Sequence, residues 1–422
     1  MTNNHPGTPS ADEWSVFRQA LMGGQMLFVA FGALVLVPLL TGLDANVAFF
    51  TAGAGTLIFQ LVTRRQVPIF LASSFAFIAP ISFGVAEWGL SATMGGLAAA
   101  GLLYVVLSLV VRLRGSGILY RMFPPVVVGP VIMVIGLGLA PVAVNMANGS
   151  ANPSIDPQTS MILAGVSLIA TLIAAVVAKG LIKLIPILCG IIVGYSTALA
   201  MGVVNFEPVA QAAWFAVPSF TAPEFNINAI LFMLPVAIAP AIEHIGDMLA
   251  ISSVTGKDYL KKPGLQNTLM GDGLATSFAS LLGGPPNTTY SEVTGAVMLT
   301  KAYNPAIMTW AACIAIVVAF IGKVGGLLAT IPTPVMGGIM VLLFGSIAVV
   351  GLSTLIKARV DLSLPRNLVI VALVLVFGLG NLSVEIFGLT LKGVSLCAVA
   401  AVLLNLLLPH VDGEDQYQSR KV

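Results

Sequence analysis

Phe123-Pro-Pro-Val-Val-Val-Gly-Pro-Val-Ile-Met-Val134 returns, about half the chain later, as Ile331-Pro-Thr-Pro-Val-Met-Gly-Gly-Ile-Met-Val341. Each stretch opens an apolar segment. Counted in windows of roughly 20 residues, the length that spans a bilayer, these are the fifth and twelfth such segments. An offset of seven is odd, so the two halves are expected to enter the membrane with opposite orientation. That is an inverted repeat, common in secondary transporters. Pro and Gly also recur by chance in apolar sequence, so the rest of the chain has to be consistent with it.

The composition is consistent. Of 422 residues, 58% are apolar and only 9% charged, against about 25% charged in an ordinary globular protein. So few charges cannot cover a soluble surface, and the chain reads as an all-α polytopic membrane protein. A net charge of +2 offers no basic face for nucleic acid. Cys189, Cys313 and Cys397 lie far apart in apolar runs and suggest neither a metal cluster nor a disulfide framework. No G-x-x-x-x-G-K-[ST] occurs, so active transport would need an ion gradient or another subunit. The residues to about Glu13 contain no Lys or Arg, and no cleaved signal peptide is expected.

About fourteen segments are expected, centred near Val29, Gly55, Phe77, Gly101, Met133, Leu168, Val193, Val236, Thr276, Val297, Ala312, Val341, Val374 and Ala400. With the N-terminus inside, the inside loops and tails hold all of the 19 basic residues except Lys323 and Lys392. Outside loops carry Asp44, Glu87, Asp156, Glu207 and Glu224. The positive-inside rule then puts both termini in the cytoplasm. The tail from Asp412 reads as a solvated end.

Segments 3 and 10 are irregular, and they occupy matching places in the two halves. They carry Pro68-Ile-Phe-Leu-Ala-Ser-Ser-Phe-Ala-Phe-Ile-Ala-Pro80 and Pro285-Pro-Asn-Thr-Thr-Tyr-Ser-Glu-Val-Thr-Gly295. A short extended stretch followed by a half-helix fits both, with Ser73 or Ser74, and Ser291, as expected caps. Extended backbone at membrane depth is tolerated only where protein or a cavity satisfies it. Two such stretches meeting at the midplane would make a polar site reinforced by helix dipoles.

Four acids fall inside expected spans: Glu243, Asp247, Asp272 and Glu292. Ionisable groups in a bilayer are costly and mark function by default. Glu243 and Asp247 are four apart and share a helical face, in a helix that Pro235 and Pro240 should distort. His244 turns roughly 100° away from Glu243 and reads as a packing or linking residue. Asp272, between two glycines, is equally consistent with a structural hydrogen bond and with function. A carboxylate protonated in one conformation and ionised in another couples protons to conformational change. That makes H⁺ the expected coupling ion. Na⁺ is the alternative, and no metal or organic cofactor is expected.

Taken together, Glu243-His-Ile-Gly, Pro286-Asn-Thr-Thr-Tyr, Glu292 with Gly295, Thr300-Lys301, Phe31-Gly-Ala-Leu-Val-Leu-Val-Pro38, Ser73-Ser-Phe-Ala-Phe77 and Pro334-Val-Met-Gly-Gly338 resemble the nucleobase–ascorbate (nucleobase:cation symporter-2) family, most of all its uracil permease branch. The resemblance covers nearly the whole chain. It implies two inverted seven-span repeats with short antiparallel strands in segments 3 and 10. It also implies a core domain (residues 1–115 and 226–324) and a gate domain (116–225 and 325–422). The base would bind in the core, contacted by Glu243, Glu292 and the backbone N–H groups of Phe75 and Ser291. Asp247 would sit at the proton-coupled position, alongside Glu243 and Glu292. A homodimer through the gate and an inner-membrane location are further implications.

Uracil presents two N–H donors and two carbonyl acceptors, which two carboxylates and two backbone N–H groups complement. Phe75 and Tyr290 offer aromatic surface for its ring, or ordinary packing. The chain departs from the uracil branch at three positions. Asp247 stands where His is usual, Ser291 where Gly is usual, and Val293 where Asn is usual. Asp247 suggests a purine (xanthine or urate) symporter as an alternative, whereas Glu292, often Gln in purine members, favours uracil. An anion transporter on the same plan, an intramembrane enzyme and a passive channel are further alternatives. The first is disfavoured by Glu292, the second by the absence of a nucleophile–base pair, and the third by the paired acids.

Overall fold

The computed structural model describes residues 15–115, 117–380, 382–386 and 389–409. The N-terminal stretch to Glu13 and the tail from Asp412 lie outside the described residues. Segments 1 and 2 are the helices Val16–Thr41 and Ala45–Val62. Segment 3 is a strand, β1 (Leu71–Ser73), then a tight turn Phe75–Phe77 and a helix Ile78–Trp88. Segment 4 is Leu90–Arg114. Segment 5 is Pro125–Gly138 continued by Ala140–Ala147, and segment 6 is Pro157–Leu172 with a wider last turn Ile173–Val177. Segment 7 is Pro186–Ala200.

The second half repeats the order. Segment 8 is Ile227–Val236 and Ile238–Thr255, interrupted at Ala237 between the two prolines expected to distort it. Segment 9 is Leu265–Leu281. Segment 10 is again a strand, β2 (Asn287–Thr289), and a half-helix Ser291–Thr300. Segments 11 to 14 are Ala306–Ala319, Thr333–Lys357, Pro365–Leu379 and Val394–Leu407. Every expected centre falls inside its segment.

Two expectations need correction. The first concerns length. Segments 7, 11, 13 and 14 have only 14 or 15 helical residues. At 1.5 Å per residue that is about 22 Å, short of a bilayer core of about 30 Å. Adjoining pieces extend them: a turn Ile182–Leu184 before segment 7, and a helix Gly322–Ala329 after segment 11. Between segments 13 and 14 lies an unexpected hairpin, β3 (Ser383–Ile386) with β4 (Leu389–Lys392). Its signal was the alternation Ser-Val-Glu-Ile and Leu-Thr-Leu-Lys, which is strand periodicity.

The second concerns helix caps. Ser74 is at the N-cap of the turn in segment 3 but makes no capping bond, and Ser73 Oγ is buried without a partner. Tyr290, not Ser291, is at the N-cap of the segment 10 half-helix. Side-chain caps occur in the loops instead. Asp44 accepts from Asn46 N at 2.7 Å, and Asp156 accepts from Gln158 N and Thr159 N, both at 3.0 Å. The Thr159 hydrogen bonds hold the exposed Asp156 carboxyl below the usual carboxylate range.

The packing follows the repeat. Segment 2 lies on 11 and segment 9 on 4; segment 1 lies on 11 and segment 8 on 4. Segment 6 lies on 12 and segment 13 on 5; segment 6 meets 7 and segment 13 meets 14. Adding or subtracting seven turns the first member of each pair into the second. Segments 2 with 9, and 5 with 12, map onto themselves. This exchange symmetry supports an inverted repeat independently of the Phe123 and Ile331 motifs.

With lipid as solvent, helix association depends on close packing and buried hydrogen bonds. A Cβ on Gly101 would lie 2.7 Å from the Gly273 carbonyl oxygen, so segments 4 and 9 touch backbone to backbone there. Ser277 Oγ donates to the Ala98 carbonyl at 2.9 Å and Ser108 Oγ to the Gln266 carbonyl at 2.6 Å across the same contact.

Candidate functional site

The two broken segments meet. β1 and β2 pair antiparallel, with Leu71 opposite Thr289, Ala72 opposite Thr288 and Ser73 opposite Asn287. Ser74 N continues the pairing onto the Pro286 carbonyl at 2.9 Å. Side chains of flanking helices satisfy the strand backbone. Leu71 N donates to Thr56 Oγ1 at 2.9 Å, and Thr276 Oγ1 donates to the Asn287 carbonyl at 2.5 Å. Asn287 Nδ2 donates to the Thr51 carbonyl at 2.7 Å. Extended backbone is thereby accommodated at this depth. Because the strands are antiparallel, the half-helices leave from opposite ends of the pair. Each starts with amide groups that no intrahelical carbonyl can satisfy.

The four acids divide into two environments. Glu243 and Glu292 are exposed to solvent. Neither bonds another side chain, and none of the four acids pairs with Lys or Arg among the described residues. Asp247 and Asp272 are buried. Asp247 Oδ2 accepts from Thr289 Oγ1 at 2.7 Å, and its Oδ1 accepts from Ser291 Oγ. Asp272 Oδ2 lies 3.5 Å from Thr288 Oγ1 and 3.6 Å from His244 Nδ1. Glu243, Asp247 and Glu292 are close enough to repel one another.

His244 is fully buried, with Phe59 edge-on at 6.3 Å. Its Nδ1 is 3.2 Å from Thr289 Oγ1. Thr289 has one hydroxyl proton and gives it to Asp247, so it accepts from His244, whose proton is then on Nδ1. His244 thus links segment 8 to segment 10, as expected of a linking residue.

Phe75 and Tyr290 face each other with ring centroids 6.3 Å apart. Tyr290 and Glu292 also line a cavity of about 170 Å³, walled by Phe28 and Gly32 of segment 1, Ile187 of segment 7 and Leu343 of segment 12. Glu243 and Phe75 do not line that cavity. The structure therefore gathers Phe75, Tyr290, Ser291, Glu292, Glu243 and Asp247 around one strand pair. In the sequence Thr288 and Thr289 stand out only as part of the Pro286-Asn-Thr-Thr-Tyr motif, with no role in the site assigned to them. Their signal was position, on a strand flanked by acids from two other helices. No cluster of three or more His, Cys, Asp or Glu suited to a metal occurs among the described residues.

Comparison with known proteins bears on the arrangement. Residues 17–386 match the model described as the Permease family. The chain belongs to this family, the nucleobase:cation symporter-2 group that its motifs resemble. The permease is 61% identical over 415 residues to a "Probable uracil permease" of Haemophilus influenzae, covering 98% of this chain and 100% of that one. It is 45% identical to the "Uracil permease" of Bacillus caldolyticus, covering 96% and 95%. Among solved structures it is similar to the transmembrane domain of the cyanobacterial bicarbonate transporter BicA, with a TM-score of 0.62 and 16% identity over 94% of the permease and 97% of that chain. At that identity the likeness extends to the fold alone. The permease is a multi-pass membrane protein of that fold.

Proposed function

We propose that the permease imports uracil across the cytoplasmic membrane by proton symport. The observation that carries this reading is the pair of acids with no side-chain partner among the described residues, Glu243 and Glu292, beside the strand pair where the two broken segments meet. Two carboxylates can accept from the two N–H groups of uracil. The starting amides of the half-helices, at Phe75 and Ser291, can donate to its carbonyls. Phe75 and Tyr290 supply apolar faces for the ring. Relatives named as uracil permeases, similar over nearly their full length, support the choice of base.

In this proposal segments 1–4 and 8–11 form a core that carries the site, and segments 5–7 and 12–14 form a gate. The packing groups described above support that division. Core and gate move against each other in alternating access. The loop charges support cytoplasmic termini. Of the three acids implied in coupling, Glu243 and Glu292 are the two left open to bind and release a proton. Both Asp247 oxygens hold hydroxyl donors, which weakens the motive for a purine reading.

The test is competition of labelled-uracil uptake in cells lacking their own base permeases. Excess unlabelled uracil is expected to suppress uptake, and xanthine and urate to leave it intact. Suppression by a purine as strong as that by uracil would reassign the substrate.

A further inference from the structure

Thr289 and Ser291 lie two apart in the chain, where β2 ends and the half-helix begins. Tyr290 between them is extended, with φ −114° and ψ 109°. In extended backbone, residues two apart project to one side and the residue between them to the other. Thr289 and Ser291 both reach Asp247, one on each carboxylate oxygen. Tyr290 is therefore sent to the opposite side, where its ring meets Phe75 and lines the cavity with Glu292. No side chain caps this half-helix locally. The bridge from segment 8 is what holds the junction, backed by His244 one turn earlier on the same helix. The two positions joined by the Ser291 contact are also two of the three at which the sequence departs from the uracil branch.

We propose that Asp247 is a positioning residue whose carboxylate clasps Thr289 and Ser291, fixing the strand-to-helix junction of segment 10 and aiming Tyr290 and Glu292 at the substrate. Ser291 then serves the site through its hydroxyl on Asp247 as well as through its backbone N–H. The choice of substrate rests on the proposed function, but the clasp itself does not.

Hydrogen exchange followed by mass spectrometry on the purified full chain reads the clasp without any ligand, because it reports local opening. Ser291→Ala and Asp247→Asn are expected to speed exchange about tenfold in the peptide spanning the junction, the effect of losing a hydrogen bond to a charged group. Exchange in segments 4 and 9 should not change. Ser291→Thr keeps a hydroxyl and should exchange at the wild-type rate; it and Ser291→Ala remain decisive should Asp247→Asn fail to fold. Wild-type exchange at the junction in Ser291→Ala overturns the clasp.

Uracil binding gives the second readout. Asp247→Asn and Ser291→Ala should each weaken it about tenfold. The double variant should be no weaker than Asp247→Asn alone, with the pH profile of uptake retained. Losses that multiply, or a shifted pH profile in Asp247→Asn, would overturn the positioning role. A wild type that binds no uracil defeats the proposed function, and the exchange result still decides the clasp.

Discussion

Glu243→Gln is expected to abolish uptake of labelled uracil while the protein reaches the membrane at the wild-type level, and Glu292→Gln to do the same. Gln keeps the size of the side chain but exchanges one acceptor oxygen for a donor. It would place N–H against N–H of the base. Losing a hydrogen bond to a charged group costs about 1.5–3 kcal/mol, roughly 10- to 150-fold in affinity. Each variant also removes a site where a proton can bind, so concentrative uptake should fail beyond the loss in affinity. The fold should tolerate both changes, because neither carboxylate bonds another side chain and both are reachable by solvent. Uptake measured beside the amount of protein in the membrane fraction checks this. Wild-type uptake in Glu292→Gln removes that residue from the site.

The second large effect is loss of accumulation when the proton gradient collapses. The chain has no phosphate-binding loop of the G-x-x-x-x-G-K-[ST] type. One proton moving down 100 mV supplies about 2.3 kcal/mol, enough for roughly 50-fold accumulation of a neutral base. A protonophore is therefore expected to reduce internal labelled uracil to the external concentration within the uptake assay. Replacing Na⁺ by K⁺ should leave uptake unchanged. Uptake that persists with protonophore and fails without Na⁺ would assign the coupling to Na⁺.

Much of this was legible in the sequence because lipid imposes strict demands. A charge in a span is costly, so Glu243, Asp247, Asp272 and Glu292 stood out against an apolar background. Pro and Ser in the middle of segments 3 and 10 excluded continuous helices, and β1 and β2 occupy those places. Short helices were less legible. An apolar run does not reveal where helix gives way to a turn or hairpin, so the short helical length of segment 14, though not its place, and the β3–β4 hairpin went unread. The caps were misjudged because a hydroxyl near a helix start has other partners available. Ser291 is the clearest case: its proton goes to Asp247, from a different helix. The links from Thr289 to Asp247 and His244 cross more than 40 residues of chain. No local pattern encodes a contact of that range.

The central claim is that the meeting point of segments 3 and 10 is a uracil site. Equilibrium binding of labelled uracil to the purified chain tests it most directly, with wild type and Glu243→Gln measured side by side. The expected result is saturable binding to wild type, displaced by unlabelled uracil and not by xanthine, and absent in Glu243→Gln. Binding of equal strength in both proteins would contradict it.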